Sequence, residues 1–311
     1  MHLEQNKTNI KAIILATFGY FLYSLGDSGN KLMVGEYHAF VILFWGSLFS
    51  LMVVGGYGAV KYGGLGFLKT YSGNVKFHIL RGFASLATGC LVVTALKTIQ
   101  MDEFYAVIFT SPLWVAVLGR IILKDRINFT RLLALVSGFT IVLFMMRPDG
   151  DMMNFGTLLT AIAALTAASS MILVRCMTPR ANDKLLFALT GPFMAVTCLG
   201  LYLITTDLFV IPKGGDLVVI FLCSIFFSVG AVATCIAYQS ATSASAVAPF
   251  HYTQMIWGIL LGYALFSDVP TYEVLMGGTL LIVTGVFMIR AEAHNFDPRE
   301  KELEYLFDLA E

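Results

Sequence analysis

Residues 248–268 read APFHYTQMIWGILLGYALFSD. A run this apolar is long enough to cross hydrocarbon as a helix, which takes about 20 residues. Yet His251, Tyr252, Thr253 and Gln254 stand side by side near its middle, where every polar group needs a partner or water. Wound as one helix, the stretch puts Ala244, Ala248, His251, Gln254, Gly258 and Gly262 on one broad stripe and Ile256, Ile259, Leu260 and Tyr263 opposite. The polar atoms share a face with the small residues, so that face turns into protein or an aqueous cavity and not into lipid. Pro249 leaves one backbone carbonyl there without its helical donor. Bonds across helices would satisfy His251 and Gln254, and so would a cavity; their midspan position favours the cavity.

The rest of the chain agrees with a membrane setting. It has 311 residues, of which 58% are hydrophobic and 13% charged, with mean hydropathy +0.79. A soluble domain needs more polar surface. Net charge is zero, which argues against a nucleic-acid partner. Apolar runs fall at 11–33, 38–60, 77–97, 103–123, 130–147, 153–175, 184–206, 216–239, 243–266 and 271–290, predicting an all-α integral membrane protein of ten spans. The first run lacks a small-residue cleavage site and reads as a span, not as a signal peptide. With the N-terminus inside, sixteen of the twenty Lys and Arg lie in inner segments, and only Lys31, Lys97, Arg147 and Lys213 in outer ones. That bias predicts cytoplasmic termini. Residues 291–311 form an acidic tail with Leu303, Leu306, Phe307 and Ala310 on one helical stripe.

A repeat emerges at a shift of 143 residues. Thr110 meets Thr253, Trp114 meets Trp257, Leu118 meets Leu261, Gly119 meets Gly262 and Asp125 meets Asp268; Phe144, Met145 and Arg147 then meet Phe287, Met288 and Arg290. Five spans per half is an odd number, so the two units, 1–147 and 148–290, would lie inverted in the membrane. Inverted repeats are the architecture of secondary transporters, with the substrate site near the midplane between them.

The stretch RGFASLATGCLVVTALKTIQMDEFYAVIFTSPLWVAVLGRIILKDR resembles the drug/metabolite transporter superfamily, EamA type. The likeness lies in Arg81-Gly82, Ala95-Leu96-Lys97, Pro112-Leu113 and Asp125, and again in the Ala-Pro-Phe-x-Tyr element of 248–252 with the Gly-Tyr pair and acidic-x-Pro ending after it. Members often have an Arg early in span two, where this chain has Gly46, and a small residue near the start of span four, where it has Phe104. The resemblance implies a ten-helix, alternating-access carrier of small metabolites in a bacterial inner membrane. Its cavity would lie between the halves, walled by spans one, three, four, six, eight and nine.

Candidate substrate-binding residues follow from polarity inside the spans. Tyr20, Tyr23, Ser24 and Asp27 share one face of span one, an aromatic and acidic strip suited to a cationic or zwitterionic ligand. Asp27 and Lys31 are four apart and able to pair; Asp27 is also the candidate coupling group. Thr110 and Ser111 mirror Thr253 and Gln254. Tyr105, His251, Tyr252, Gln254 and Trp257 complete the wall, together with Arg81, which the resembling family shares. Arg120 and Arg175 lie near cytoplasmic ends, where long side chains snorkel; Ser169, Ser170, Tyr238 and Gln239 read as packing groups. The expected cargo is a small polar metabolite, an amino acid or amine-bearing compound before a vitamin, nucleoside or nucleotide-like one, with a proton or counter-substrate as driving partner.

Rival classes are weaker. GDSG at 26–29 invites an intramembrane serine protease with Ser28 as nucleophile and His251 as base, which requires those two atoms within about 3 Å. There is no His-Glu-x-x-His, Cys-x-x-Cys or phosphate loop, so neither a metal site nor a cofactor is expected. The five cysteines sit singly in apolar runs. A channel would need a charged ring or a filter-like glycine run, and neither is present.

Overall fold

The computed structural model describes residues 2–33, 36–64, 75–95, 98, 104, 107–125, 129–146, 154–177, 183–267 and 269–294. Of the expectations above, those on Tyr105, Asp268, Lys97, Arg147 and the tail beyond 294 fall outside them. The chain is helical: α1 (His2–Met33), α2 (Ala39–Tyr62), α3 (Val75–Ala95), α4 (Ser111–Ile122), α5 (Phe129–Met146), α6 (Phe155–Cys176), α7 (Asp183–Thr205), α8 (Gly214–Ser240), α9 (Ala244–Val247), a 3-10 segment (Ala248–Tyr252), α10 (Thr253–Phe266) and α11 (Tyr272–His294).

Among the described residues, six helices are long and apolar enough to cross a membrane: Asn9–Met33, Ala39–Tyr62, Val75–Val92, Phe155–Cys176, Ala188–Thr205 and Gly214–Ser240. Three shorter apolar helices, Ser111–Ile122, Phe129–Phe144 and Tyr272–Phe287, accompany them. The protein is therefore a multi-pass membrane protein. Large apolar side chains such as Val60, Val269, Tyr272 and Phe129 stay exposed, as they must where the solvent is lipid and not water.

Local chemistry sets the ends. His38 caps α2, its Nδ1 accepting from the Phe40 N–H, and Gly63 closes it at φ 69° with its N–H on the Ala59 carbonyl, a left-handed cap that costs glycine little. Asn154 opens α6 by accepting from the Thr157 N–H at 2.8 Å.

The ninth expected span is not one helix. Pro249 has no N–H to offer, and the chain passes from α9 through the 3-10 segment before α10 begins. Five residues at 3.0 per turn advance about 100° further than the same five at 3.6. The continuous stripe from Ala244 to Gly262 is thereby broken: Ala244 and Ala248 are buried, whereas Gly258 is exposed.

Helices pack by backbone approach and by polar bonds. A Cβ on Gly19 of α1 would lie 3.1 Å from the Gly230 carbonyl and 2.7 Å from Thr234 of α8, so these two helices nearly touch, as small residues permit in membranes. Between α3 and α6, Ser85 meets Ser170 at 3.4 Å and Thr88 meets Thr166 at 2.7 Å. The main core gathers Ala12, Ala16 and Tyr20 with Val115, Leu135, Ile172, Cys235, Tyr238, Ala244 and Val247.

Candidate substrate site

Two polar tiers meet where α1 passes α8, the 3-10 segment and α10. The deeper tier is aromatic. The Tyr20 ring stacks on the His251 ring at 4.6 Å and 10°; the Tyr20 hydroxyl is 3.3 Å from that of Tyr238. His251 Nδ1 lies 3.5 Å from Ser111 Oγ, and Phe109 stands edge-on to the imidazole at 6.0 Å. The imidazole thus faces protein on each of these sides, and it is half-buried. Ser111 begins α4, as Thr253 begins α10, so each of these helices opens on a hydroxyl residue.

The outer tier is charged. Gln254 Nε2 donates to Asp27 Oδ2 at 2.9 Å, and Ser24 Oγ donates to the Gln254 carbonyl at 2.9 Å. Asp27 is exposed although it lies inside an apolar helix. Tyr23 meets Thr234 Oγ1 at 3.2 Å, and Trp257 packs edge-on against Phe21 at 5.0 Å. The expected Asp27–Lys31 pairing is replaced: the carboxylate is held by Gln254, and the Lys31 ammonium lies 4.4 Å over the Phe266 ring.

The remaining candidates divide. Arg81 is buried and donates to Thr190 Oγ1 at 2.9 Å across the α3–α7 contact. Thr110 spends its hydroxyl on the Val107 carbonyl at 2.7 Å. Tyr252 is buried in a separate apolar cluster with Phe109, Val142, Met255 and Leu281, and its hydroxyl donates to the Leu135 carbonyl at 3.3 Å. The 100° advance along the 3-10 segment turns it toward α5, away from Asp27. Tyr238, read from sequence as packing, is the partner of Tyr20.

The protease geometry is not built. Ser28 Oγ donates to the Ser24 carbonyl at 2.9 Å, while His251 stacks on Tyr20, eight residues or about 12 Å back along α1. Among the described residues, no group of three or more His, Cys, Asp or Glu is placed to hold a metal.

Residues 10–147 match the EamA-like transporter family. An S-adenosylmethionine uptake transporter of Rickettsia conorii is 26% identical over 292 residues, covering 89% of this chain and 94% of that protein. A riboflavin transporter of Rhizobium johnstonii is 25% identical over 204 residues, 64% of this chain and 65% of the relative. A solved crystal structure shares the fold at TM-score 0.75 and 15% identity, covering 92% of this chain and 99% of its own. Residues 10–147 are thus similar to a transporter family, and the relatives that match most of this chain are named as metabolite transporters.

Proposed function

We propose that this protein is a secondary carrier that takes up a small metabolite bearing a positive charge beside a planar ring, across a bacterial inner membrane. It works by alternating access between two inverted five-span units, 1–147 and 148–290, with ten spans in all and cytoplasmic termini. The observation behind this reading is Asp27. A carboxylate at bilayer depth costs about 3 kcal/mol unless it faces water or a partner. Here it is exposed, bonded on one side by Gln254, and flanked by Tyr23 and the Tyr20–His251 stack. Such a site attracts a cation through its carboxylate and an aromatic ring through its stack.

The relatives' cargo suits that chemistry. S-adenosylmethionine is an amino acid joined through a sulfonium to an adenine nucleoside, so it offers both the charge and the ring. In the proposed site Asp27 reads the charge. Ser24, Gln254, Tyr20, Tyr23, His251, Ser111 and Trp257 line the approach, and the protonation of Asp27 couples transport to a proton. The hydroxyl starts of α4 and α10 support the inverted pairing, because equivalent positions of two repeats should open alike.

Uptake of radiolabelled S-adenosylmethionine into liposomes, with and without a pH gradient, tests the proposal. Methionine, adenosine and riboflavin serve as competitors. Saturable uptake that adenosine alone competes poorly is expected. Saturable uptake of riboflavin without any of the cation would replace the charged cargo by a neutral one.

A further inference from the structure

The turn between α8 and α9 has no charged residue of its own, yet four other parts of the chain grip it. Asn9 of α1 and Thr242 exchange two hydrogen bonds, Nδ2 to Oγ1 at 3.1 Å and the Thr242 N–H to Oδ1 at 3.0 Å. Arg175 at the end of α6 donates to the carbonyls of Tyr238 at 2.9 Å, Ala241 at 2.6 Å and Thr242 at 3.1 Å. Arg131 of α5 donates to Ser243 Oγ at 2.7 Å. Asp125, after α4, accepts from the Ala244 N–H at 2.9 Å and lies 3.9 Å from Arg175. The chain reaches that position through Lys124 in the left-handed region at φ 58°, a conformation a non-glycine residue adopts only under constraint.

We propose that this turn is the inner gate of the carrier, held shut by Asn9, Asp125, Arg131 and Arg175. The inference rests on the carrier reading and on the orientation drawn from Lys and Arg, which puts all four residues on the inner side. Charged groups at a helix end commonly serve as local caps. Here the caps of α8 and α9 come from residues 63 to 233 positions away in sequence. Capping the turn and closing the bundle are therefore the same bonds.

The surroundings match a closed inner side. Beneath the turn, Ala16, Val115, Ala116, Ile172, Cys235 and Val247 are all 4% exposed or less. Toward the other end, Asp27 is exposed. The clamp is also built to let go. Arg175 and Asp125 hold mainly backbone groups, which water satisfies as readily once the turn swings out, and the two side chains keep each other as partners. Few bonds are lost on opening, as a two-state element requires.

Cys235 supplies a natural reporter, since its thiol is 0% exposed inside the plug. Membrane vesicles of known sidedness carrying the full chain are treated with a membrane-impermeant methanethiosulfonate, and Cys235 modification is read by peptide mass spectrometry. Asp125→Asn and Arg175→Gln should each raise the rate from the inner side by about tenfold, the population shift expected on losing a charge-assisted bond, and leave the outer-side rate unchanged. An Asn9→Cys, Thr242→Cys pair, oxidised with copper phenanthroline, should suppress inner-side modification until reductant is added. Unchanged inner-side rates, or rates rising equally from both sides, would overturn the gate. The labelling uses no cargo, so its outcome is separate from that of the liposome uptake that tests the carrier reading.

Discussion

Gln254 of α10 donates a 2.9 Å hydrogen bond to the Asp27 carboxylate of α1, joining two residues 227 positions apart. This bond holds the acid through one carboxylate oxygen, Oδ2; in the proposed site the charge of Asp27 is what a cationic ligand would meet. Asp27→Asn keeps the shape and the hydrogen bond but removes the charge. A charge-assisted contact is worth about 1.5–3 kcal/mol, so affinity for S-adenosylmethionine should fall about tenfold to a hundredfold while expression stays intact. Gln254→Ala frees the carboxylate and should cost less. Ligand-dependent thermal shift of the purified variants measures both, and an unaltered shift in Asp27→Asn would remove this carboxylate from the site.

The Asp27–Gln254 pair also marks where reading the chain alone stops. Helix content, the membrane setting and the isolation of Asp27, His251 and Gln254 in apolar runs were legible, because burying polarity in lipid is costly wherever it occurs. Their partners were not. Spacing along one helix offers Lys31 to Asp27, since i and i+4 neighbours are all that local periodicity sees. The true partner arrives from a helix whose rotation depends on the 3-10 segment. Pro249 signalled one carbonyl without its helical donor, but not that the chain would wind tighter and carry Tyr252 to the far side. Arg175 read as a snorkelling charge because its acceptors are backbone carbonyls, which leave no mark in sequence.

At Gly138 of α5 the Tyr252 ring of the 3-10 segment leaves no room for a side chain. A Cβ on Gly138 would lie 2.6 Å from two carbons of the Tyr252 ring. Gly138→Ala should therefore destabilise the protein by about 1–3 kcal/mol, the usual cost of overpacking. Combining it with Tyr252→Leu should cost less than the two single changes added together, a coupling that identifies the ring as the obstacle. Thermal unfolding of the four proteins in one detergent gives the cycle.

At the other end of the bundle, Tyr37 donates to Asp216 Oδ2 at 2.6 Å and accepts from the Lys213 N–H at 3.0 Å. The bond to the carboxylate raises the phenol pKa above its ordinary 10.0. A raised folded value gives a contribution that is complete below the unfolded value and lost as pH climbs through the folded one. Tyr37→Phe should thus lower stability by a constant amount from roughly pH 6 to 9, and the gap to wild type should close only under strongly alkaline conditions. Melting temperature against pH for both proteins reads this directly; a gap that closes on the acid side instead would contradict the assignment.

Pro249 connects the backbone to the site. With its ring removed, Pro249→Ala regains an N–H and allows α9 and α10 to run together as one α-helix. The five residues between them would then advance about 100° less. His251 would leave the face of Tyr20, and Gln254 would turn from Asp27, although every side chain of the site is still present. The variant should still fold, the regained helical bond offsetting part of the packing lost around Tyr252, yet transport poorly. Thermal unfolding beside liposome uptake separates the two effects. A stable Pro249→Ala protein with full uptake would show that the rotation set by the 3-10 segment has no part in holding the site together.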